Sequence, residues 1–185
     1  MGHPLLRQPG RALDVEELAD PKLDLIVTDM IDTLHDYGGI GLAAPQIGES
    51  LRLAIIEIEV GSSRYGDIPA MPLTIFVNPT IEVIDATTDG YWEGCLSVPG
   101  LRGYVKRPRH IRVDYLDLQG ETRGLELRGF LSTVFQHEFD HLDGTLYVDR
   151  LTDMKLLSFE REYSRYWLPL EEQTPSAPEE PSADD

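Results

Sequence analysis

Three closely spaced runs of β-branched residues between positions 51 and 86 most restrict how this chain folds. They read LRLAIIEI, LTIFVNP and IEVID, and glycine, serine and proline separate them. β-Branched residues favour strands and the separators favour turns, so the pattern predicts short strands joined by loops, including a loop over residues 61–72. A strand at 110–118 (HIRVDYLDL), a turn at Gln119-Gly120 and a partner strand (TRGLELRG) continue the pattern.

Two main helices flank the predicted strands. The first starts at Pro21, since Asp20 suits an N-cap, proline suits the first helical position, and Gly38-Gly39 suits a stop. Its apolar face consists of Leu23, Ile26, Val27, Met30, Ile31 and Leu34. The second helix covers roughly residues 130–142, and MKLLSFEREY further on also has a helical pattern. Runs of short strands with two main helices predict an α+β fold rather than a doubly wound parallel sheet.

The chain of 185 residues suits one compact domain, predicted over residues 1–168, followed by a tail over 169–185. The tail is rich in acids and proline and carries no base, a composition typical of disorder. The domain is acidic too, so it lacks the basic stripe that a duplex nucleic-acid partner needs. Neither a membrane span nor a signal peptide is apparent, and we expect a cytoplasmic protein.

The segment QHEFDH at 136–141 contains the strongest chemical signal. On a helix, His137 and His141 project from one face, one turn apart, and Glu138 stands beside them. The flanking residues are largely apolar, so the helix is predicted to be buried, and buried ionisable groups need partners such as a shared metal. Asp140 and Asp143 either accept hydrogen bonds from the histidines or are solvated.

A third metal ligand has two candidate sources. Downstream of His141 there is no histidine, but Glu160 and Glu162 are available. Upstream, the only cysteine, Cys95, lies in EGCLSVP, where a strand is expected to meet a loop. A thiolate with two imidazoles leaves one position open for catalysis and favours soft or borderline metals, but spacing alone does not decide between the sources. Cys95 is also compatible with a buried apolar role or a nucleophile.

The segment GGIGLAAPQIG at 38–48 follows the first helix. Its glycines either let the backbone approach a ligand closely or form a plain helix stop and turn. Neither phosphate-binding glycine motif is present. Gln46 offers a neutral amide donor.

The motifs GIGLAAPQ, EGCLS and QHEFDH, in this order and spacing, resemble the three signature motifs of peptide deformylases, and PLLR at 4–7 is similar too. The resemblance implies antiparallel and mixed sheets packed around a central helix that carries HExxH. It implies Cys95, His137 and His141 as metal ligands, with Fe²⁺ as the usual ion and Zn²⁺, Ni²⁺ or Co²⁺ as substitutes. Similar enzymes remove the N-formyl group from the initiator methionine of new polypeptides and release formate.

The resemblance also implies catalytic roles for three residues. A metal-bound water attacks the formyl carbonyl, while Glu138 takes the water proton and later delivers it to the leaving amine. The Gln46 amide and the Leu96 backbone N–H stabilise the oxyanion that forms.

The implied substrates are N-formylmethionyl peptides of nascent chains, met at the ribosome exit. They are expected to lie extended along Ile40, Gly41 and Gly94, adding a strand, with Val134 as a candidate for the methionine pocket. Glu93 and Arg102 are a candidate ion pair supporting the loop, with a solvated pair as the alternative. Similar enzymes usually have a short apolar strand before the PLLR-like segment, so the chain either starts further upstream or lacks that strand.

Three other classes fit parts of the pattern. A metallopeptidase that cleaves internal peptide bonds would take its third ligand downstream. A cysteine hydrolase would use Cys95 as nucleophile and His137 as base. A binding module without activity would need none of the catalytic residue types, all of which are present.

Overall fold

The computed structural model describes residues 1–59 and 69–168, so the predicted tail and most of the predicted loop at 61–72 lie outside the described residues. The described part has the predicted α+β fold, and all its strand pairings are antiparallel. The strands are β1 (Gly41–Ala43), β2 (Leu53–Ile58), β3 (Met71–Cys95), β4 (Val98–Leu116), β5 (Thr122–Arg128) and β6 (Leu157–Phe159). The α-helices are α1 (Pro21–Tyr37), α2 (Phe130–Leu142) and α3 (Glu160–Tyr166).

The sheet has the strand order β1-β2-β3-β4-β5, and β6 pairs with β4. Its centre is a long hairpin of β3 and β4 that turns between Cys95 and Val98. The segments LTIFVNP and IEVID, predicted as two strands, both belong to the single strand β3. Pro79 does not interrupt β3, because it lies between Val77 and Thr80, where the β3–β4 register shifts. A bulge tolerates proline, since no ladder hydrogen bond is needed there. Asn78 accommodates the bulge with a positive φ of 48°.

Helix α1 forms as its end signals predict. The Asp20 side chain accepts a hydrogen bond from the Lys22 backbone N–H at 2.9 Å, and Gly38 ends the helix in the left-handed conformation. Its apolar face packs against β2 and the residues around it in one core cluster. Four residues of this face are buried and two are half-buried, which confirms the predicted orientation: Leu23, Val27, Met30 and Leu34, with Ile26 and Ile31.

Helix α2 is the central helix of the fold. Every residue from Ser132 to Leu142 is buried, because the helix lies against the sheet and is covered by other segments. The aromatic rings of Phe76, Phe135 and Phe139 pack edge-on or tilted, with centroids 5.2–5.8 Å apart. Such arrangements stabilise a core beyond simple burial. A rigid sheet and a buried helix therefore hold the HExxH side chains in place.

The segment MKLLSFEREY was predicted as a helix, and this is partly wrong. Met154–Leu156 is a 3-10 turn, Leu157–Phe159 forms β6 against β4, and α3 starts only at Glu160. The free edge of β4 at residues 101–103 offers hydrogen bonds that the local helical pattern does not anticipate. No helix within residues 1–59 and 69–168 combines the length and apolar character needed to cross a bilayer.

Candidate active site

The end of β3 and two successive turns of α2 bring Cys95, His137 and His141 together. One ligand atom from each residue lies within 4.8 Å of those of the other two. The Cys95 Sγ atom is 3.3 Å from His141 Nε2. A thiolate with two imidazoles is a typical donor set for a catalytic metal with one position left open. The downstream alternatives, Glu160 and Glu162, do not belong to this cluster.

A buried ion network orients His137. Its Nδ1 lies 2.7 Å from the Glu93 carboxylate, an acceptor, so Nδ1 carries a proton and Nε2 is the ring nitrogen left to act as a metal ligand. Arg107 donates to Glu93 through Nε at 2.6 Å and to Asp140 through Nη1 at 2.7 Å. Arg150 donates to the same Asp140 at 2.6 Å from the protein surface. Each buried charge thus has a partner, as burial requires.

One prediction about this network is wrong. Glu93 does not pair with Arg102, because it faces the helix and takes Arg107 and His137 as partners. Of the two alternatives for the aspartates, solvation holds for Asp143, which is exposed and pairs with Arg52, whereas Asp140 is buried and binds Arg107 and Arg150. Sequence reasoning missed Arg107 altogether. The cross-strand positions of Glu93 and Arg107 depend on a register that the sequence pattern does not give.

The electrostatics of the cluster suit a cation. Burial lowers the pKa of the His141 imidazole well below its ordinary value, and the nearby His137 and Arg107 charges lower it further, so its nitrogens stay neutral. Burial also opposes protonation of His137, but hydrogen bonds with Cys95 and Glu93 outweigh burial and raise the pKa well above its ordinary value. The position between the thiol and the carboxylates therefore favours positive charge, which a divalent metal supplies.

Glu138 lies beside the cluster in a position that requires glycine opposite it. A Cβ atom at Gly41 would lie 2.7 Å from Cδ and 2.8 Å from Oε1 of Glu138, so only glycine leaves room for the carboxyl group. Burial raises the pKa of Glu138 to about 7. Its Oε2 has no hydrogen-bond partner among the described residues. A carboxyl group with such a pKa is suited to accepting and returning a proton near neutral pH.

The Gln46 side chain has a defined orientation. Its Oε1 accepts a hydrogen bond from the Ala43 backbone N–H at 2.7 Å. Because this backbone group is a donor, the Nε2 donor faces the other way, 3.7 Å from Cys95 Sγ and 3.3 Å from Ser97 Oγ. The amide therefore presents N–H groups beside the candidate metal centre.

A cleft of about 550 Å³ runs past this centre. Its walls include nearly all of the residues proposed from the sequence as site residues: Ile40, Gly41, Gln46, Gly94, Cys95, Leu96, Val134, His137 and Glu138. His141 lies deeper, with 1% of its surface exposed. The cleft also has lining residues that sequence reasoning did not identify, among them Trp92 and Phe130, and Glu160, which the sequence suggested only as a metal ligand.

The sequence matches the family model described as polypeptide deformylase over residues 1–156. A peptide deformylase of Leptospira biflexa is 41% identical over 159 residues, which cover 86% of this chain and 89% of the relative. A peptide deformylase 2 of Bordetella bronchiseptica is 47% identical over 154 residues, covering 83% of this chain and 86% of the relative.

Solved structures agree with these matches. A Met-Ala-Ser-bound class I type b peptide deformylase of Acinetobacter baumannii superposes with a TM-score of 0.76 at 36% identity, covering 82% of this chain and 94% of that one. The peptide deformylase of Thermotoga maritima gives a TM-score of 0.71 at 37% identity, covering 83% and 95%. The chain therefore belongs to the polypeptide deformylase family, metal-dependent hydrolases that remove the formyl group from N-formylmethionyl peptides.

Proposed function

We propose that Cys95, His137 and His141 hold the metal ion of this deformylase, and that the formyl group is hydrolysed beside it. The observation that carries the proposal is the convergence of one thiol and two imidazoles at the inner wall of the cleft, with Cys95 and His137 lining it and His141 behind them. A divalent ion held by these residues would supply a Lewis acid that polarises the formyl carbonyl and activates water near neutral pH.

Glu138 is the proton carrier in this proposal. Its carboxylate takes the proton from the attacking water and delivers it to the methionine amine when the C–N bond breaks. The pKa of about 7 that burial gives this group makes both transfers feasible near neutral pH. Gly41 leaves the space that the carboxyl group occupies.

Gln46 and Leu96 stabilise the developing oxyanion. The Gln46 Nε2 group is turned toward Cys95 by the bond that fixes its Oε1, so the donor is in place before the substrate binds. The Leu96 backbone N–H follows Cys95 directly and supplies a second donor. Donors fixed in advance stabilise charge in the transition state without reorganisation.

The peptide lies extended between the backbones at Ile40–Gly41 and Gly94, as an added strand. The methionine side chain enters the cleft near Val134, one turn before His137 on α2, where the surface is apolar. Nascent chains emerging from the ribosome in the cytoplasm are the proposed substrates. Ferrous iron is the proposed metal, and Zn²⁺, Ni²⁺ and Co²⁺ are expected to substitute, because a thiolate-imidazole set accepts all four.

Anaerobic purification followed by metal analysis and a formate-release assay on formyl-Met peptides tests the proposal. We expect one metal ion per chain, formate release that a chelator abolishes, and recovery on adding Fe²⁺. A Cys95→Ser variant should lose most of its metal, since the thiolate is one of three ligands. Retained metal in Cys95→Ser, or activity that survives chelation and is blocked by thiol alkylation, would contradict the proposed metal site.

A further inference from the structure

The segment at residues 157–167 packs beside the cleft and lies beyond the part of the chain that the family match covers. Its strand β6 pairs with β4 at residues 101–103. On its other side, Gly103 of β4 pairs with Glu93 of β3. Only one strand therefore separates this segment from the edge that carries Gly94 and Cys95.

Arg102 connects the segment to that edge. A Cβ atom at Gly94 would overlap Arg102 Nη1 and lie 2.5 Å from Cζ, so the guanidinium rests directly on the Gly94 backbone. Glu160, the first residue of α3, holds the guanidinium: its Oε1 accepts bonds from Nη2 at 2.6 Å and from Nε at 3.2 Å. The Arg102 side chain is only 20% exposed, which partly shields this pair from water.

Aromatic packing fixes the start of α3. Tyr163 is 5% exposed, and its ring centroid lies 5.9 Å from the Arg102 Cζ atom. Trp92, two residues before Gly94 on β3, packs against Tyr163 at 5.1 Å and against Trp167 at 4.9 Å. These contacts anchor α3 on the sheet, so Glu160 is held where it meets Arg102.

We propose that Glu160 is a positioning residue for the peptide part of the substrate, an inference that rests on the proposed function. Glu160 keeps Arg102 against Gly94 and so fixes the strand edge that pairs with the residues after methionine. Because β3 ends at Cys95, a peptide with its formyl group at Cys95 and Glu138 extends along this edge toward Gly94. Glu160 binds Arg102 and is not one of the three residues of the metal cluster, so its substitution should leave the metal ligands in place.

The test compares two substrates, formyl-Met-Ala-Ser and formyl-methionine amide, which lacks the downstream residues. For Glu160→Gln we expect the kcat/KM ratio of the longer to the shorter substrate to fall about five-fold, the effect of losing a partly shielded ion pair. The change should lie in KM for the longer substrate, with kcat and metal content retained. Glu162→Gln, on the exposed side of the same helix, is the matched control and should keep the ratio.

A double-mutant cycle with Arg102→Met sharpens the test. If Glu160 acts through Arg102, each single variant lowers the ratio and the double variant lowers it no further. Additive losses, an unchanged ratio, equal losses for both substrates or loss of metal in Glu160→Gln would each overturn the inference. Absence of formate release from the unaltered chain would instead overturn the proposed function, and the inference with it.

Discussion

The carboxyl group of Glu138 is buried, yet the proposed mechanism requires it to carry a negative charge and accept a proton. Burial raises its pKa from 4.5 to about 7, so ionisation costs folding free energy as the pH rises through this window. A shift of this size corresponds to stability on the order of 3 kcal/mol, present below pH 4.5 and lost above pH 7. We expect Glu138→Gln to abolish turnover and, in chelated protein, to raise the unfolding temperature relative to the unaltered chain at pH 8 but not at pH 4.5.

Thermal unfolding at the two pH values, with and without chelator, measures this effect. Bound metal should reduce the difference between Glu138→Gln and the unaltered chain, because a nearby cation stabilises the carboxylate. The exposed Glu162→Gln variant should show no such pH trend. If Glu138→Gln shows the same stability difference at both pH values, the pKa of the Glu138 carboxyl group is not raised by burial.

Gln46 allows its donor and acceptor functions to be separated. Gln46→Glu keeps the Oε1 acceptor for Ala43 N–H but lacks the Nε2 donor, whereas Gln46→Ala lacks both. If the donor stabilises the oxyanion, both variants should lose about 10²–10³-fold in kcat while metal content stays the same. Steady-state kinetics with metal analysis checks this. Near-normal kcat in Gln46→Glu would assign the residue to loop support alone.

At the level of elements, the network around Glu93 joins β3, β4 and α2. Glu93 accepts hydrogen bonds from His137 and Arg107. Burial alone would raise the pKa of the Glu93 carboxyl, but these two hydrogen bonds outweigh burial and lower it. Glu93→Gln leaves Arg107 buried with less countercharge, so we expect a loss of about 3 kcal/mol in unfolding free energy. Metal affinity should fall about 10–100-fold, because His137 loses the charged carboxylate that orients the ring and increases its basicity as a ligand.

Denaturant unfolding and a metal-competition titration measure the two effects. Glu57→Gln removes the negative charge from the surface pair with His35 and is the matched control, expected to change stability by less than about 1 kcal/mol. A Glu93→Gln variant with the stability and metal affinity of this control would mean that the network does not support the metal centre.

The elements also show what could be predicted from sequence. Helices α1 and α2 and strands β2 and β5 follow from local periodicity and end signals, because their apolar faces repeat within one element. The sequence pattern divides strand β3 into two strands at Pro79, because local signals do not reveal a bulge. Partners such as Glu93–Arg107 and Arg102–Glu160 depend on cross-strand register and on the position of α3, which no short window contains.

At the scale of the whole molecule, the boundary of the domain can be tested by two truncations. The composition of residues 169–185 predicts a segment that cannot bury apolar surface, so a chain ending at residue 168 should keep the full unfolding temperature and full formate release. A chain ending at residue 156 lacks Tyr163, which is 5% exposed, and uncovers Trp92. It should lose at least about 3 kcal/mol, as removal of a buried aromatic side chain does.

Calorimetry and the formate-release assay on both truncated chains decide the boundary. If the chain ending at residue 168 unfolds at a lower temperature than the full chain, the acidic tail contributes to the fold and the predicted boundary is wrong. If the chain ending at residue 156 is as stable as the full chain, α3 is not anchored by its aromatic contacts. The chain ending at residue 156 also lacks Glu160. Its remaining activity should therefore show the same selective loss on formyl-Met-Ala-Ser as Glu160→Gln, because both changes release Arg102 from its partner.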